Sequence, residues 1–263
     1  MGVLKRNNVV IKGTGSVPMM FAHGFGCDQN MWRFVTPAFE HSYKIILFDH
    51  VGAGKSDLSA FDKEKYSTLG GYANDILEIA GTLKLHDIIF VGHSVSAMMG
   101  AIAASKNPAL FKYLILVGPS PSYINDGDYI GGFTRHQIEE LLESLDNNHL
   151  GWSATMAPVI MGNPDRQELA NELENSFCRT DPEMARHFAR TTFLSDERDI
   201  LHHVTTPSLI LQCSSDIIAP LEVGNYLHEQ LTDSTLVIMK ATGHCPNLSN
   251  PQETIEAIKD FLN

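Results

Sequence analysis

Short apolar runs alternate along the chain with longer segments whose apolar positions recur at helical spacing. The runs are rich in Val, Ile and Phe and are nearly free of polar positions. Such runs are typical of strands buried on both faces, as in a parallel sheet covered by helices. This alternation predicts the α/β class, with a mostly parallel central sheet and helices on both faces. The predicted strands are 9–12, 18–22, 43–49, 88–92, 113–118, 207–213 and 235–239, and the predicted helices between them are 69–85, 94–106, 221–231 and 251–262.

The alternation stops between residues 122 and 204, where no segment has a strand pattern. Only helix-like segments occur there, at 134–145, 152–161, 166–177 and 182–194. An all-helical insertion between two strands of a sheet predicts a lid over one end of that sheet. We therefore expect a core formed by residues 1–121 and 205–263, and a helical lid formed by residues 122–204.

The segment around Ser94 passes from a buried strand directly into a helix. The run 88–92 ends at Gly92, and the apolar helical run 97–104 follows within a few residues. This succession predicts a nucleophile elbow, a sharp turn that lifts a serine hydroxyl above the end of a sheet. The usual pattern has glycine two residues before and two residues after the serine, and here Ser96 takes the second place. By itself the pattern also fits an ordinary strand-to-helix turn.

The partners that a serine nucleophile needs are present downstream. A serine hydroxyl requires a base to take its proton and an acid to orient that base. Asp216 follows the run 207–213, and His244 follows the run 235–239. Both lie on loops after strands, where open α/β sheets carry their sites, and the order Ser, Asp, His is the one expected after such an elbow. We therefore predict a catalytic triad of Ser94, His244 and Asp216.

The loop His23-Gly24-Phe25-Gly26 supplies a candidate oxyanion hole. It follows the apolar run 18–22 and can aim the Phe25 backbone N–H at the same point as the Val95 N–H. Two fixed donors would stabilise negative charge that develops on a carbonyl oxygen. Alone, this loop is equally typical of a flexible turn, and the triad candidates favour the oxyanion hole.

Composition limits the remaining functions. The 263 residues carry a formal net charge of −12, and this disfavours a nucleic-acid surface, which needs clustered Lys and Arg. We find neither an apolar run of transmembrane length nor a secretory signal. The sequence therefore predicts a cytoplasmic monomer that binds neither membranes nor nucleic acid.

Motifs that suggest cofactors are incomplete. Gly54-Lys55-Ser56 resembles the end of a phosphate-binding loop, but Asp49 stands where that motif needs glycine. The histidines lack metal-ligand spacing, and the four cysteines are widely spaced. We expect no metal and no other cofactor. Cys27 and Cys245 flank the oxyanion loop and His244, and we interpret them as packing residues in preference to redox sensors or metal ligands.

Aromatic residues of the insertion are candidates for a substrate pocket. Phe133 and Trp152 are predicted to line it, whereas Phe177, Phe188 and Phe193 divide about evenly between the pocket and lid packing. The full set of predicted substrate-binding residues is His93, Tyr123, Phe133, Trp152, Phe193 and Ile217.

The chain resembles the α/β-hydrolases over essentially its whole length. More narrowly, it resembles the group that contains the bacterial stress-response regulator RsbQ and the plant strigolactone and karrikin receptors. Ser96 follows the plant-receptor form of the elbow, whereas 118–121 and 209–220 look more like RsbQ, so we expect an RsbQ-like bacterial member. The segments that carry the resemblance are 23–29, 48–54, 92–98, 119–126, 131–133, 195–198, 212–216 and 243–246.

The resemblance implies an α/β-hydrolase fold with a four-helix lid over a deep apolar pocket, no cofactor, and slow hydrolysis of a small apolar ester or lactone. It also implies a signalling role through a partner at the lid, which in RsbQ-like proteins is a PAS-containing protein phosphatase. A purely metabolic carboxylesterase or lactonase and a non-hydrolytic receptor stay open as alternatives. Ser94 disfavours dehalogenases and epoxide hydrolases, whose nucleophile is Asp, whereas perhydrolase, C–C hydrolase and lyase chemistries share the triad.

Overall fold

A seven-stranded sheet forms the centre of the protein in the computed structural model, which describes residues 2–263. The strand order is β1-β3-β2-β4-β5-β6-β7. Strand β1 pairs antiparallel with β3, and all other neighbours are parallel. The strands are β1 (Val10–Lys12), β2 (Val17–Ala22), β3 (Tyr43–Leu47), β4 (Ile88–His93), β5 (Phe111–Val117), β6 (Ser208–Ser215) and β7 (Ser234–Thr242).

Helices cover both faces of the sheet. Helices α2, α3 and α8 pack on one face, and α10 and the lid helices contribute to the apolar core on the other. The helices are α1 (Val3–Arg6), α2 (Leu69–Thr82), α3 (Val95–Lys106), α4 (Arg135–Asn147), α5 (His149–Met161), α6 (Gln167–Arg179), α7 (Pro182–Phe193), α8 (Leu221–Gln230), α9 (Pro246–Ser249) and α10 (Pro251–Leu262). Short 3-10 segments are Gln29–Trp32, Thr36–Ala38, Leu58–Ala60, Lys65–Ser67, Pro108–Leu110 and Arg198–His203.

The continuous apolar run before Ser94 has a direct structural explanation. All residues of β4 are buried, because β2 and β5 flank the strand and helices cover both of its faces. Helix α3 packs closely on this strand, since a Cβ at Gly100 would lie 2.3 Å from the Phe90 ring. The close packing fixes the start of α3, and therefore the elbow, against the centre of the sheet.

Four helices, α4 to α7, form the insertion between β5 and β6. Side-chain caps define the starts of α4, α5 and α7. Thr134 and Gln137 form a capping box at α4, Asn148 accepts the Gly151 N–H at α5, and the Asp181 carboxylate accepts two backbone N–H groups of α7. The two chain segments that enter and leave the insertion meet at Ser122 and Asp196. Arg198 joins them, with contacts of 2.7 Å to Asp126 and 2.6 Å to Asp196.

The predicted fold is confirmed. The predicted strands and helices differ from the observed ones at their ends, and α1, α9 and the short 3-10 segments were not predicted. Helix α2 ends at Thr82 instead of Leu85, because Lys84 adopts a left-handed conformation (φ +51°) and the Leu85 N–H turns back to the Ala80 carbonyl oxygen. The segment after Asp49 is a turn, in which the Asp49 carboxylate accepts the Lys55 N–H at 2.9 Å. Within residues 2–263, no helix is both long and apolar enough to cross a membrane.

Candidate active site

Ser94 occupies the sharp turn between β4 and α3. Its backbone is strained, with φ +56° and ψ −128°, a region that costs a non-glycine residue about 1–3 kcal/mol. Gly92 makes the turn sterically feasible, because a Cβ there would lie 2.6 Å from the Ser96 carbonyl oxygen. The Ser94 N–H donates to the Val117 carbonyl oxygen at 2.8 Å, so the neighbouring strand β5 also holds the turn.

The structure brings the three predicted triad side chains together. His244 Nε2 lies 2.7 Å from Ser94 Oγ, and His244 Nδ1 lies 2.7 Å from Asp216 Oδ2. The other Asp216 oxygen accepts the Ile218 and Ala219 N–H groups at 2.8 and 3.2 Å. These bonds fix the carboxylate, which holds the His244 Nδ1 proton and leaves Nε2 free to accept the serine proton. All three side chains are buried.

The lid and the buried His93 both hold the His244 backbone. The His244 N–H donates to the Ile160 carbonyl oxygen in α5 at 2.9 Å. His93 Nε2 donates to the His244 carbonyl oxygen at 2.7 Å. Burial lowers the pKa of His93 to about 3, so the ring stays neutral at physiological pH. His93 therefore supports the triad backbone in addition to lining the cavity described below.

The two predicted oxyanion donors lie beside the nucleophile. Val95 is the first residue of α3, where N–H groups have no intrahelical acceptor. The loop that carries Phe25 passes close to Ser94, since a Cβ at Gly24 would lie 3.3 Å from Ser94 Cβ and 2.6 Å from His93 Nδ1. Phe25 and Ser94 line the same cavity. This arrangement can supply two backbone donors to a carbonyl oxygen bound at Ser94.

Ser96, which departs from the usual glycine, takes part in a buried hydrogen-bond network. Its hydroxyl donates to the His23 carbonyl oxygen at 2.5 Å and accepts from His50 Nε2 at 2.7 Å. The His50 N–H in turn donates to His23 Nε2 at 3.1 Å. Burial lowers the pKa of both imidazoles, so both are neutral. The network joins the start of α3 to the backbone that leads into the oxyanion loop.

An apolar cavity lies above Ser94, between the sheet and the lid. Its empty volume, together with its opening to solvent, is about 390 Å³. Phe25 packs here against four lid aromatics, with ring centroids 5.7–6.0 Å apart. The cavity wall consists of Phe25, Cys27, His93, Ser94, Tyr123, Ile160, Leu173, Phe177, Thr192, Phe193, Ile218, His244 and Cys245.

Three of the six predicted pocket residues line the cavity, and three lie outside its wall. His93, Tyr123 and Phe193 line the cavity. Trp152 lies behind its wall, with its ring 6.0 Å from the Phe25 ring and 5.3 Å from the Phe177 ring.

The predictions that Trp152, Ile217 and Phe133 line the pocket therefore need correction. The Ile217 side chain is 54% exposed, and Ile218 lines the cavity instead, because the turn that binds the Asp216 carboxylate directs Ile217 to the surface. Phe133 is outside the wall, because its backbone pairs with Tyr123 and Asn125 at the base of the lid and its ring packs into the core there.

Sequence reasoning missed several wall residues, including Ile160, Leu173 and Thr192. Thr192 had a signal, because Ala185, Phe188 and Ala189 form an apolar stripe on α7 whose next position is Thr192. Cys27 and Cys245 also line the cavity. Burial raises the pKa of the Cys27 thiol to about 12 and raises that of Cys245 well above its ordinary value. Both thiols are therefore protonated, as expected of packing residues. Within residues 2–263, no three His, Cys, Asp or Glu side chains gather in a way that could hold a metal ion.

Comparison with known proteins gives consistent matches. A model of the alpha/beta hydrolase fold family matches residues 17–251. The karrikin insensitive 2 receptor CA of Petunia hybrida is 38% identical over 260 residues, covering 98% of this chain and 96% of the relative. The strigolactone esterase D14 of Arabidopsis thaliana is 36% identical over 261 residues, covering 99% and 97%. A solved structure of a hydrolase from Oleispira antarctica has a TM-score of 0.96 and 42% identity, covering 99% of this chain and 96% of that one.

Proposed function

The chain belongs to the α/β-hydrolase family, in the group of the plant karrikin and strigolactone receptors, and from that premise we propose that it is a serine hydrolase of small apolar esters or lactones. The observation that carries the proposal is the continuous chain of short hydrogen bonds from Ser94 through His244 to Asp216. Relatives named as esterases, including the strigolactone esterase D14, support the same reaction.

In the proposed acylation step, Ser94 Oγ attacks the substrate carbonyl carbon as its proton passes to His244 Nε2. Asp216 stabilises the resulting imidazolium, and the Phe25 and Val95 N–H groups stabilise the oxyanion, where loss of one donor costs about 3 kcal/mol. Collapse of the tetrahedral intermediate breaks the bond to the alkoxy oxygen, and His244 returns its proton to that leaving group.

In the proposed deacylation step, His244 takes a proton from water, and the resulting hydroxide equivalent attacks the acyl carbon. Collapse of the second tetrahedral intermediate releases the carboxylic acid, and the proton returns to Ser94. The apolar wall of the cavity favours an uncharged substrate, because a charged group there would lose its hydration without a partner charge. A lactone would give a single product with its acid and alcohol ends joined.

We propose further that hydrolysis serves signalling through a protein that binds the lid. The exposed side of α5 supports this role: it contains no Asp, Glu, Lys or Arg, and Leu150 and Val159 at its two edges are 61% and 41% exposed. Interface cores are depleted in charged residues, so an uncharged side of this kind suits contact with another protein. The resemblance to RsbQ favours a PAS-containing phosphatase as the partner, and a cytoplasmic location stays a prediction from the sequence.

The hydrolase proposal is tested with Ser94→Ala. We expect this variant to lose labelling by a fluorophosphonate probe and to lose turnover of p-nitrophenyl acetate by about 10⁴-fold or more. Ser105→Ala is the matched control, because Ser105 lies on the same helix and its hydroxyl bonds only the Ile102 carbonyl oxygen. Unchanged labelling and turnover in Ser94→Ala would contradict the assignment.

The signalling proposal is tested with Leu150→Asp/Val159→Asp, which alters the lid face and keeps the triad. Immobilised wild-type protein is expected to capture a PAS-containing phosphatase from the source cells, and the variant is expected not to. Leu58→Asp is the control, because Leu58 is 49% exposed outside the lid. Equal capture by wild type and variant would contradict docking at this side of α5, and fast turnover of a metabolite with no capture by either protein would favour the metabolic alternative.

A further inference from the structure

Two hydroxyl groups in the cavity wall have no hydrogen-bond partner within residues 2–263. They belong to Thr192 on α7 and to Tyr123 at the base of the lid, and each residue is only 1% exposed. The rest of the wall is mostly apolar. A buried hydroxyl without a partner is destabilising, so both groups stand out in a cavity that otherwise favours hydrocarbon.

Thr192 differs sharply from its neighbour Thr191. The Thr191 hydroxyl donates to the Tyr66 carbonyl oxygen at 3.0 Å and is thereby satisfied within the protein. Thr192 instead continues the apolar stripe of α7, where a valine of the same shape would pack without the hydroxyl penalty. The Thr192 hydroxyl therefore contributes little to folding, and it belongs to a residue that lines the cavity.

Tyr123 lies near the reacting group. Its ring packs edge-on against Phe193, with centroids 5.2 Å apart. Both residues line the same cavity. Burial raises the pKa of the Tyr123 phenol, and the Ser94 hydroxyl acts in the opposite direction with a smaller effect. The phenol consequently keeps its proton at neutral pH and can donate a hydrogen bond into the space beside Ser94.

We infer that Thr192 and Tyr123 bind a second oxygen of the substrate, one that is distinct from the scissile carbonyl oxygen. This inference rests on the proposed hydrolase function and narrows its substrate class. The substrate is an uncharged ester or lactone that also carries an ether, hydroxyl or keto oxygen, because both wall hydroxyls can donate to such a group. A site built to bond a substrate oxygen discriminates strongly against an analogue that lacks it.

The test compares pairs of p-nitrophenyl esters that differ by one oxygen in place of one methylene. The pairs are butanoate with methoxyacetate and pentanoate with 3-methoxypropanoate, and each kcat/KM is divided by the hydroxide-catalysed rate of the same ester. Wild type is expected to prefer the oxygen-containing member of at least one pair. Thr192→Val and Tyr123→Phe are each expected to reduce that preference about tenfold.

Thr191→Val is the matched control and is expected to keep the wild-type preference, because its hydroxyl bonds Tyr66 and not the cavity. Thr192→Ser keeps a hydroxyl and is also expected to retain the preference, which separates the bond from a packing effect. An unchanged preference in both Thr192→Val and Tyr123→Phe, with hydrolysis retained, would overturn the inference alone. Failure of wild type to hydrolyse any of the four esters would overturn the proposed function and this inference with it.

Discussion

His50 Nε2 lies 2.7 Å from the Ser96 hydroxyl, in a fully buried contact between the loop after β3 and the first turn of α3. The same hydroxyl donates to the His23 carbonyl oxygen, two residues before Phe25. Ser96 therefore does more than replace the usual glycine of the elbow. It joins the nucleophile helix to the strand that ends in the oxyanion loop.

Ser96→Ala is expected to lower the free energy of unfolding by about 0.5–1.5 kcal/mol, because it removes both hydrogen bonds of the Ser96 hydroxyl and leaves His50 Nε2–H only its 3.1 Å contact with the His23 carbonyl oxygen. It is also expected to lower kcat more than it raises KM, since the position of the Phe25 N–H matters most in the transition state. Urea unfolding and ester kinetics measure the two effects. Ser105→Ala serves as the control, and an equal result for both serine variants would refute the role of this network.

Asp216→Asn is expected to keep the fold and to reduce kcat by up to about 10⁴-fold, because an amide in place of the carboxylate favours the wrong tautomer of His244. The amide can still accept the Ile218 N–H, so thermal unfolding is expected to change little. Fluorophosphonate labelling and ester turnover should fall together. A variant with full labelling would show that Asp216 does not orient the base.

The order of the site along the chain was predictable because parallel strands end at one edge of the sheet. Ser94, Asp216 and His244 each follow a predicted strand. Because these strands run in the same direction, the loops that follow them lie at the same edge of the sheet. Predicted element centres were confirmed for the same reason: buried strands and amphipathic helices have strong local patterns. The end of α2 was not predictable, because a lysine takes the left-handed position that usually belongs to glycine.

The cavity wall was less predictable, because it depends on how the lid packs against the core. Ile217 and Ile218 are identical in type and adjacent in sequence, and only the backbone bonds to the Asp216 carboxylate decide which one faces the cavity. Phe133 and Phe193 are likewise identical in type. Long-range packing turns one into the core at the base of the lid and the other into the wall.

Acid is expected to destabilise the protein through its buried histidines. Burial lowers the pKa of His23, His50, His93 and His149 below the ordinary 6.5, so below pH 6.5 the unfolded chain binds protons that the native chain does not. Each such proton lowers the free energy of unfolding by about 1.4 kcal/mol per pH unit. Glu197 has the opposite effect, because burial raises its pKa from 4.5 to about 7. Between these pH values the native chain binds up to one proton that the unfolded chain does not, and this proton stabilises the protein as the pH falls.

Urea unfolding at pH 7, 6 and 5 measures this balance, and the expected result is a net loss of stability as the pH falls. His93→Gln is expected to make the dependence shallower by up to one proton, since it removes a group that stays neutral in the native state. Glu197→Gln is expected to make the dependence steeper, because it removes the opposing group. A protein whose stability is constant over this range, or a shallower dependence in Glu197→Gln, would contradict the assigned directions.

The tightest contact between lid and catalytic loop lies at Gly243, directly before His244. Gly243 has φ +79°, and a Cβ there would lie 1.8 Å from the Met161 carbonyl oxygen at the end of α5. Gly243→Ala is therefore expected to displace both α5 and His244, and a 1 Å displacement of a reacting group can cost about 10²-fold in rate.

Gly127→Ala is the matched control, because Gly127 also has a positive φ (+56°) but a Cβ there would have nothing within 4 Å. For Gly127→Ala, we expect the free energy of unfolding to fall by only about 1–2 kcal/mol, because alanine is strained in the left-handed conformation, and we expect kcat to stay unchanged. Equal kcat in the two alanine variants would show that backbone strain, and not the contact with α5, determines the effect at Gly243.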